Sequence, residues 1–339
     1  MSTSDEQLVD GDTGSLHGNG GRPRVVVGVD GSPGSRDALV QALLAAARRG
    51  ADLEVVTTYT LQLFYAGGAP LDVPDVEAIR NSTREQAQSV LDEVSQEVTV
   101  SAVPGIQDVG MSLHVEEGSA ARVLVNRSAG SALLVVGSRG RSTMRTALLG
   151  SVALHCVTHA ACPVVVVHPA VAFSEPPRVV VGVDGSAASR AALVAAVDEA
   201  SRRGAELEVV ATYTIADYWT DLATIVVPSH DQIRGDLRRR TDQMVQEVLA
   251  DRRHGGGPAV PHVQVVVVEG AAADVLVARA RTADLLVVGS RGRGAFRSLL
   301  LGSVSLHCAM HATTPVMVVH PQRSRSASEV PVEPAMAER

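Results

Sequence analysis

The stretch "RVVVGVDGSPGSRDALVQALLAAARRGADLEVVTTYT", residues 24–60, decides the fold. "RVVVGV" is apolar at successive positions instead of alternating, as a strand is when both of its faces are covered. Gly and Pro interrupt the run at "GVDGSPG", and a helical segment over 33–49 follows. A second apolar run, 52–58, comes next. Further on, β-branched runs at 109–115, 132–137 and 163–168 alternate with helical patterns at 76–97, 119–130 and 151–161. Strands of this kind alternating with helices predict an α/β fold: a doubly wound parallel sheet with helices on both faces.

The same stretch returns. "RVVVGVDGSAASRAALVAAVDEASRRGAELEVVATYT" occupies 178–214, and "LHCVTHAACPVVVVHP" (154–169) returns as "LHCAMHATTPVMVVHP" (306–321). The offset is 154 residues early and 152 late, too long a period for a solenoid. It predicts two homologous domains, at 22–170 and 178–321, joined by 171–177, where Pro176 and Pro177 discourage regular structure. Strands are expected near 178–183, 206–212, 262–268, 284–289 and 315–319. Residues 61–75 and 215–229 read as excursions over the sheet edge. The polar ends, 1–21 and 322–339, read as disordered tails.

Composition narrows the function. A formal charge of −7 and only one Trp, four Tyr and three Phe argue against nucleic-acid binding, which needs basic patches or stacking platforms. No apolar run approaches the ~18 residues of a membrane span, and the start lacks the order of a signal peptide. Three cysteines cannot build a disulfide framework, which fits a reducing cytoplasm. All thirty basic residues are arginine. Chemistry that needs a phosphate-gripping or Schiff-base lysine is therefore excluded.

The candidate site lies after the fourth strand. "GSRGRSTMRTALLGS" (137–151) and "GSRGRGAFRSLLLGS" (289–303) share the pattern G-x-x-G, nine residues, G-S. In a doubly wound sheet, ligands sit beyond the carboxyl ends of the strands. Glycine lets backbone approach a phosphate, and its freedom at positive φ can turn several N–H groups toward one point. Gly150-Ser151 would then open a helix, whose first N–H groups favour an anion. The same residues serve equally as turns, with Ser151 as a helix cap. Asp30 and Asp184, in "GVDGS", fall on the same edge. Each could bind a hydroxyl, an amino group or a metal, or simply make an Asx-turn.

With these residues in hand, the chain resembles the universal stress protein family in its tandem two-domain, nucleotide-binding form. The resemblance covers about 24–168 and 178–320, and its most specific element is the glycine pattern. It implies a five-stranded parallel sheet ordered 3-2-1-4-5 in each domain. It implies ATP as ligand, with or without Mg²⁺, and a stress-response regulator instead of an enzyme. The implied first site comprises Gly28, Asp30, Thr58, Gly137, Ser138, Arg139, Gly140, Arg141, Gly150, Ser151 and Val152. The second comprises Gly182, Asp184, Thr212, Gly289, Ser290, Arg291, Gly292, Arg293, Gly302, Ser303 and Val304. Pairing through the last strand, common in the family, implies that the two halves pair within the chain. A homodimer and a regulatory protein partner are further expectations.

Other readings stand beside this one. A slow ATPase is not excluded, although Glu116, Glu117 and Glu269 read as solvated loop carboxylates and not as a catalytic base. A nucleotide-independent interaction module would use the glycines as turns alone. The turn "GVDGSPG" lacks the G-x-G-x-x-G order of a dinucleotide fingerprint. His155 and His159, like His307 and His311, have zinc-compatible i, i+4 spacing beside Cys156, Cys162 and Cys308, but buried cysteine is the commoner explanation.

Overall fold

The computed structural model describes residues 21–61, 65–66, 69–70, 75–98, 103–141, 149–169, 176–214, 229–254, 261–293 and 300–321. Residues 1–20 and 322–339 of the tails, most of the linker and most of the excursions at 61–75 and 215–229 lie outside the described residues. The main elements of the first half are β1 (Arg24–Gly28), α1 (Pro33–Arg49), β2 (Asp52–Tyr59), α2 (Val76–Val98), β3 (Met111–Glu117), α3 (Ala120–Arg127), β4 (Leu133–Gly137), α4 (Ser151–His159) and β5 (Val164–Val167). The second half repeats them as β6 (Arg178–Val183), α5 (Ala187–Arg203), β7 (Glu206–Tyr213), α6 (His230–His254), β8 (Val263–Glu269), α7 (Ala272–Ala280), β9 (Leu285–Gly289), α8 (Ser303–His311) and β10 (Val316–Val319).

Local chemistry sets these boundaries. The Ser32 hydroxyl accepts the Ser35 N–H at 3.2 Å and caps α1, and Pro33 follows where a missing N–H costs nothing. Gly50 ends the helix in the left-handed region at φ 57°, which a side chain would resist. Ser186 and Gly204 do the same for α5. Some elements differ from expectation. β3 begins at Met111, two residues late, because a 3₁₀ turn at Ile106–Asp108 precedes it. α3 stops at Arg127, three residues early, where the chain turns through Gly130 at φ 72°.

Within each half's part of the main sheet the described pairings are parallel, and the order is β3-β2-β1-β4-β5, or 3-2-1-4-5, while the short strands Tyr65–Ala66 and Ala69–Pro70 form a separate antiparallel pair. The second half repeats it as β8-β7-β6-β9-β10. The halves join where β5 and β10 pair antiparallel, with Val166 opposite Val316 and Val164 opposite Val318. One ten-stranded sheet results.

The continuous apolar runs are explained by burial on both faces. Val25 and Val27 face the layer of α1 and α2, and Val26 faces the layer of α3 and α4. Each fully buried valine contributes about 1.5–3 kcal/mol. The α1/α2 side forms one core with the α5/α6 side of the other half, through residues such as Leu39, Val167, Leu193 and Val319. The buried carboxylates in the middle of β2 and β7 are each paired with two arginines. Glu54, in the middle of β2, meets Arg24 at 2.6 Å and Arg127 at 3.0 Å, and Glu208 repeats this with Arg178 and Arg279. No helix among the described residues is long and apolar enough to cross a membrane.

Candidate functional site

Five segments meet at the carboxyl ends of β1, β2 and β4. A slot of about 130 Å³ there is lined by Gly28, Asp30, Thr58, Gly137, Arg139, Gly140, Gly150, Ser151 and Val152. Ser138 and Arg141, from the same expected set, do not line it. Ser138 is buried beneath, its N–H bonded to the Val167 carbonyl at 2.7 Å and its carbonyl accepting from Gly150 N–H at 2.8 Å. Those two bonds tie the glycine loop to β5 and to the start of α4. The Arg141 guanidinium turns away, donating to Gln86 Oε1 at 3.1 Å.

The slot also takes in residues the sequence reading did not name, among them Ser35, Val56, Ala120 and Leu124. Three of these had a readable signal. Val56 shares a β2 face with Thr58 by the period of two, and Ala120 and Leu124 share an α3 face by the i, i+4 rule. Leu124 closes the slot floor over Gly28. A β-carbon on Gly28 would come within 2.7 Å of the leucine δ-carbon.

Asp30 organises the rim. Its Oδ1 accepts the Ser32 N–H at 2.9 Å, the Asx-turn, and its Oδ2 accepts the Arg141 N–H at 3.0 Å, from the glycine loop. Burial pushes its carboxyl up, but the hydrogen bonds from Ser32, Arg141 and Ser35 outweigh that and hold it below the usual aspartate value. The carboxylate therefore stays charged. Asp184 repeats each contact with Ser186 and Arg293, both at 2.9 Å.

Steric crowding, and not the expected positive φ, accounts for four of the loop glycines. Among the described residues, none of Gly137, Gly140, Gly150, Gly289, Gly292 and Gly302 has positive φ; that conformation sits instead at Gly31 and Gly185. Gly137 is glycine because α1 passes against it: a β-carbon would lie 2.7 Å from the Gly34 carbonyl oxygen. Gly289 faces the Ala188 carbonyl in the same way. At Gly140 a β-carbon would lie 2.6 Å from Asp30 Oδ2, and at Gly292 one would lie 2.7 Å from Asp184 Oδ2.

Ser151 is not the cap of α4. Gly150 holds that position in extended conformation, with no side chain to accept, and Ser151 is the first helical residue. The first intrahelical bond runs from Leu154 N–H to the Gly150 carbonyl at 2.9 Å. The N–H groups of Ser151, Val152 and Ala153 precede it, and no side chain caps them. Gly302 leaves α8 equally uncapped. An uncapped helix start carries partial positive charge and three outward donors.

The neighbouring alternatives have structural explanations. His155 stacks on His159 with ring centroids 4.2 Å apart, while burial pushes the Cys156 thiol up to about 12. Cys308 is pushed to about 12 in the same way. Among the described residues no cluster of His, Cys, Asp and Glu is placed to hold a metal ion. Glu116 pairs with Arg127, and Glu269 with His230 at 3.2 Å.

Comparison with known proteins agrees with this architecture. The model of the Universal stress protein family matches twice, at residues 21–168 and 176–320. The chain belongs to the universal stress protein family. Universal stress protein Rv2623 of Mycobacterium tuberculosis is 34% identical over 304 residues, covering 87% of this chain and 95% of the relative. Universal stress protein Mb2019 of Mycobacterium bovis is 34% identical over 325 residues, covering 92% and 96%. The crystal structure of a universal stress protein from Archaeoglobus fulgidus superimposes with a TM-score of 0.60 at 21% identity, covering 88% of this chain and 98% of that one. That last likeness speaks to the fold.

Proposed function

We propose that each half of this universal stress protein binds one ATP, and that binding, not turnover, is its biochemical activity. The observation that carries the reading is the uncapped start of α4, which opens on the same slot as Gly137 and Gly140. Phosphates would sit against the N–H groups of Ser151, Val152 and Ala153, with the Arg139 side chain as the nearby cation. The part of the slot lined by Gly28, Val56, Thr58 and Leu124 would take the base. At about 130 Å³ it is well below the ~300 Å³ where ligand pockets begin, so most of the nucleotide would lie along the rim. Asp30 and Asp184 would both face the ligand and pin the loop. A Mg²⁺ ion would arrive with the phosphates, Asp30 being the carboxylate that lines the first slot.

The regulatory character rests on what surrounds the phosphates. Phosphoryl transfer needs placed cations and a base that orients the nucleophile. Neither Glu116 nor Glu117 lines the slot, and Glu116 is held by Arg127. The domain limits proposed are 22–170 and 178–321 with 171–177 as linker; the family matches at 21–168 and 176–320 support two domains and overlap the linker at 176–177.

Mass spectrometry of nucleotide released from the denatured protein, followed by calorimetry, tests the proposal. Two ATP per chain are expected, one in Gly140→Val, and none in the double variant with Gly292→Val. In each variant the new side chain displaces Asp30 or Asp184. Undiminished binding in the double variant, with an unchanged circular dichroism spectrum, would overturn it.

A further inference from the structure

The two halves diverge where the second arginine of the glycine loop meets the neighbouring long helix. In the first half the Arg141 guanidinium lies over Gly31 and donates to Gln86 of α2. Matching ion pairs fix the register of the two long helices. Arg36 meets Glu93 and Glu97, while Arg190 meets Glu247 and Asp251. By that register, 154 residues on, the position of Gln86 is occupied by Arg240. An amide that accepts has become a guanidinium that can only donate.

Arg293, the counterpart of Arg141, keeps the backbone bond to Asp184 and lies over Gly185. Its side chain and that of Arg240 line a cavity of about 300 Å³ between α5 and α6. Among the described residues neither guanidinium has a hydrogen-bond or ion-pair partner. The carboxylates on the wall are already engaged. Glu247 pairs with Arg190 at 2.7 Å, and Asp184 accepts the N–H groups of Ser186 and Arg293. Leu237 and Met244 supply an apolar floor. The cavity lies on the α5/α6 side of the sheet, the opposite side from α7 and α8, which flank the second glycine loop.

We propose that this cavity is a second kind of anion site, for a small organic phosphate. The phosphate would be gripped between Arg240 and Arg293, and the apolar body would rest on Leu237 and Met244. Guanidinium forks match phosphate oxygens in pairs, and two that face one space gain most when a divalent anion enters. About 300 Å³ is room for a ring or short chain beyond the phosphate, at the lower bound of small-molecule pockets. The first half lacks the site because Gln86 satisfies Arg141 directly. The proposal does not rest on ATP binding at the glycine loops.

Calorimetric titration of phenyl phosphate into the full chain tests it. Arg240→Gln, which restores the first-half residue at an exposed position, is expected to weaken phenyl phosphate binding about tenfold or more, the loss of one charge-assisted grip. ATP affinity should be unchanged. Gln86→Arg is expected to add a phenyl phosphate site in the first half. Superimposable isotherms for Arg240→Gln and the unmodified chain would overturn the proposal. So would phenyl phosphate binding that disappears in the Gly140→Val, Gly292→Val double variant while surviving Arg240→Gln, since the ligand would then occupy the glycine slots.

Discussion

Arg49 of the first half and Glu199 of the second form an ion pair with side chains only 7% and 3% exposed. Glu199 also meets Arg202 at 3.2 Å and Arg203 at 3.4 Å, and Arg48 stands nearby. The cluster has no twin, because the positions matching Asp198 and Glu199 in α1 are Leu44 and Ala45. One carboxylate thus balances arginines from both halves. Removing it by Glu199→Ala should cost about 3–5 kcal/mol, as breaking a buried pair does. Urea denaturation at neutral pH checks this, and a loss within 1 kcal/mol would contradict it. Burial alone would push the Glu199 carboxyl up, but Arg49, Arg203 and Arg202 hold it below 4.5. Its contribution is therefore complete above that value and fades as pH falls through the folded-state value.

The seam between the halves should also respond to milder acid. His168 Nε2 lies 3.0 Å from the Ala309 carbonyl oxygen across the joint, so that nitrogen carries the proton, and buried Nδ1 has no partner. Burial lowers the pKa of His168 and of its counterpart His320 below 6.5. The unfolded chain takes up protons below that value while the folded chain resists. Stability is then full above pH 6.5 and declines as pH falls below it. Melting temperature recorded from pH 7.5 to 5 should fall accordingly, with a shallower slope in His168→Gln, His320→Gln. Equal slopes would show that other groups govern this range.

Two glycines should fail for different reasons. At Gly137 an added methyl meets main-chain atoms of Gly34, which cannot give way as a side chain could, so Gly137→Ala should lose about 1–3 kcal/mol through overpacking. At Gly50 nothing lies within 4 Å, and Gly50→Ala should lose about 1–2 kcal/mol from left-handed backbone alone. Replacing Gly50 by Asn should recover part of that loss, whereas Asn at 137 should worsen matters. Denaturation midpoints of the four variants separate the two causes.

Asp30→Asn keeps the shape of the rim and removes half of its acceptor capacity. One of the two N–H groups, from Ser32 or Arg141, would face an NH₂ group. A loss of about 1–3 kcal/mol in stability is expected, together with weaker ATP binding in the first half only. Calorimetry should show the second half unaffected. An identical effect on both halves would mean that they are coupled.

How much was legible follows from which contacts are local. β1, α1 and β2 could be read closely because their signals are consecutive: an apolar run, a break with Gly and Pro, a helical segment and a second apolar run. The glycine loop was legible as a place, through its spacing and its position after β4. Its reasons were not. That Gly137 answers to Gly34, and Gly140 to Asp30, depends on segments about a hundred residues apart brought together by the sheet. The capping role of Ser151 passed to Gly150 because the chain enters α4 extended one residue earlier. Leu124 and Ala120 escaped notice because α3 has no motif, only a face. The Glu199 cluster lay in a helix that otherwise reads as a copy of α1.

The antiparallel joint at β5 and β10 fixes which way each half looks. The five strands that each half gives to the main sheet run parallel, so their carboxyl ends emerge at one rim of the sheet for the first half and at the other for the second. The two glycine loops therefore lie at opposite rims. One ligand cannot bridge them, and a protein docked over one slot would leave the other in view. On the proposed reading of one nucleotide per half, such a chain would be bivalent in the manner of a double-headed bolt, with four patterns of occupancy displayed at two opposite rims.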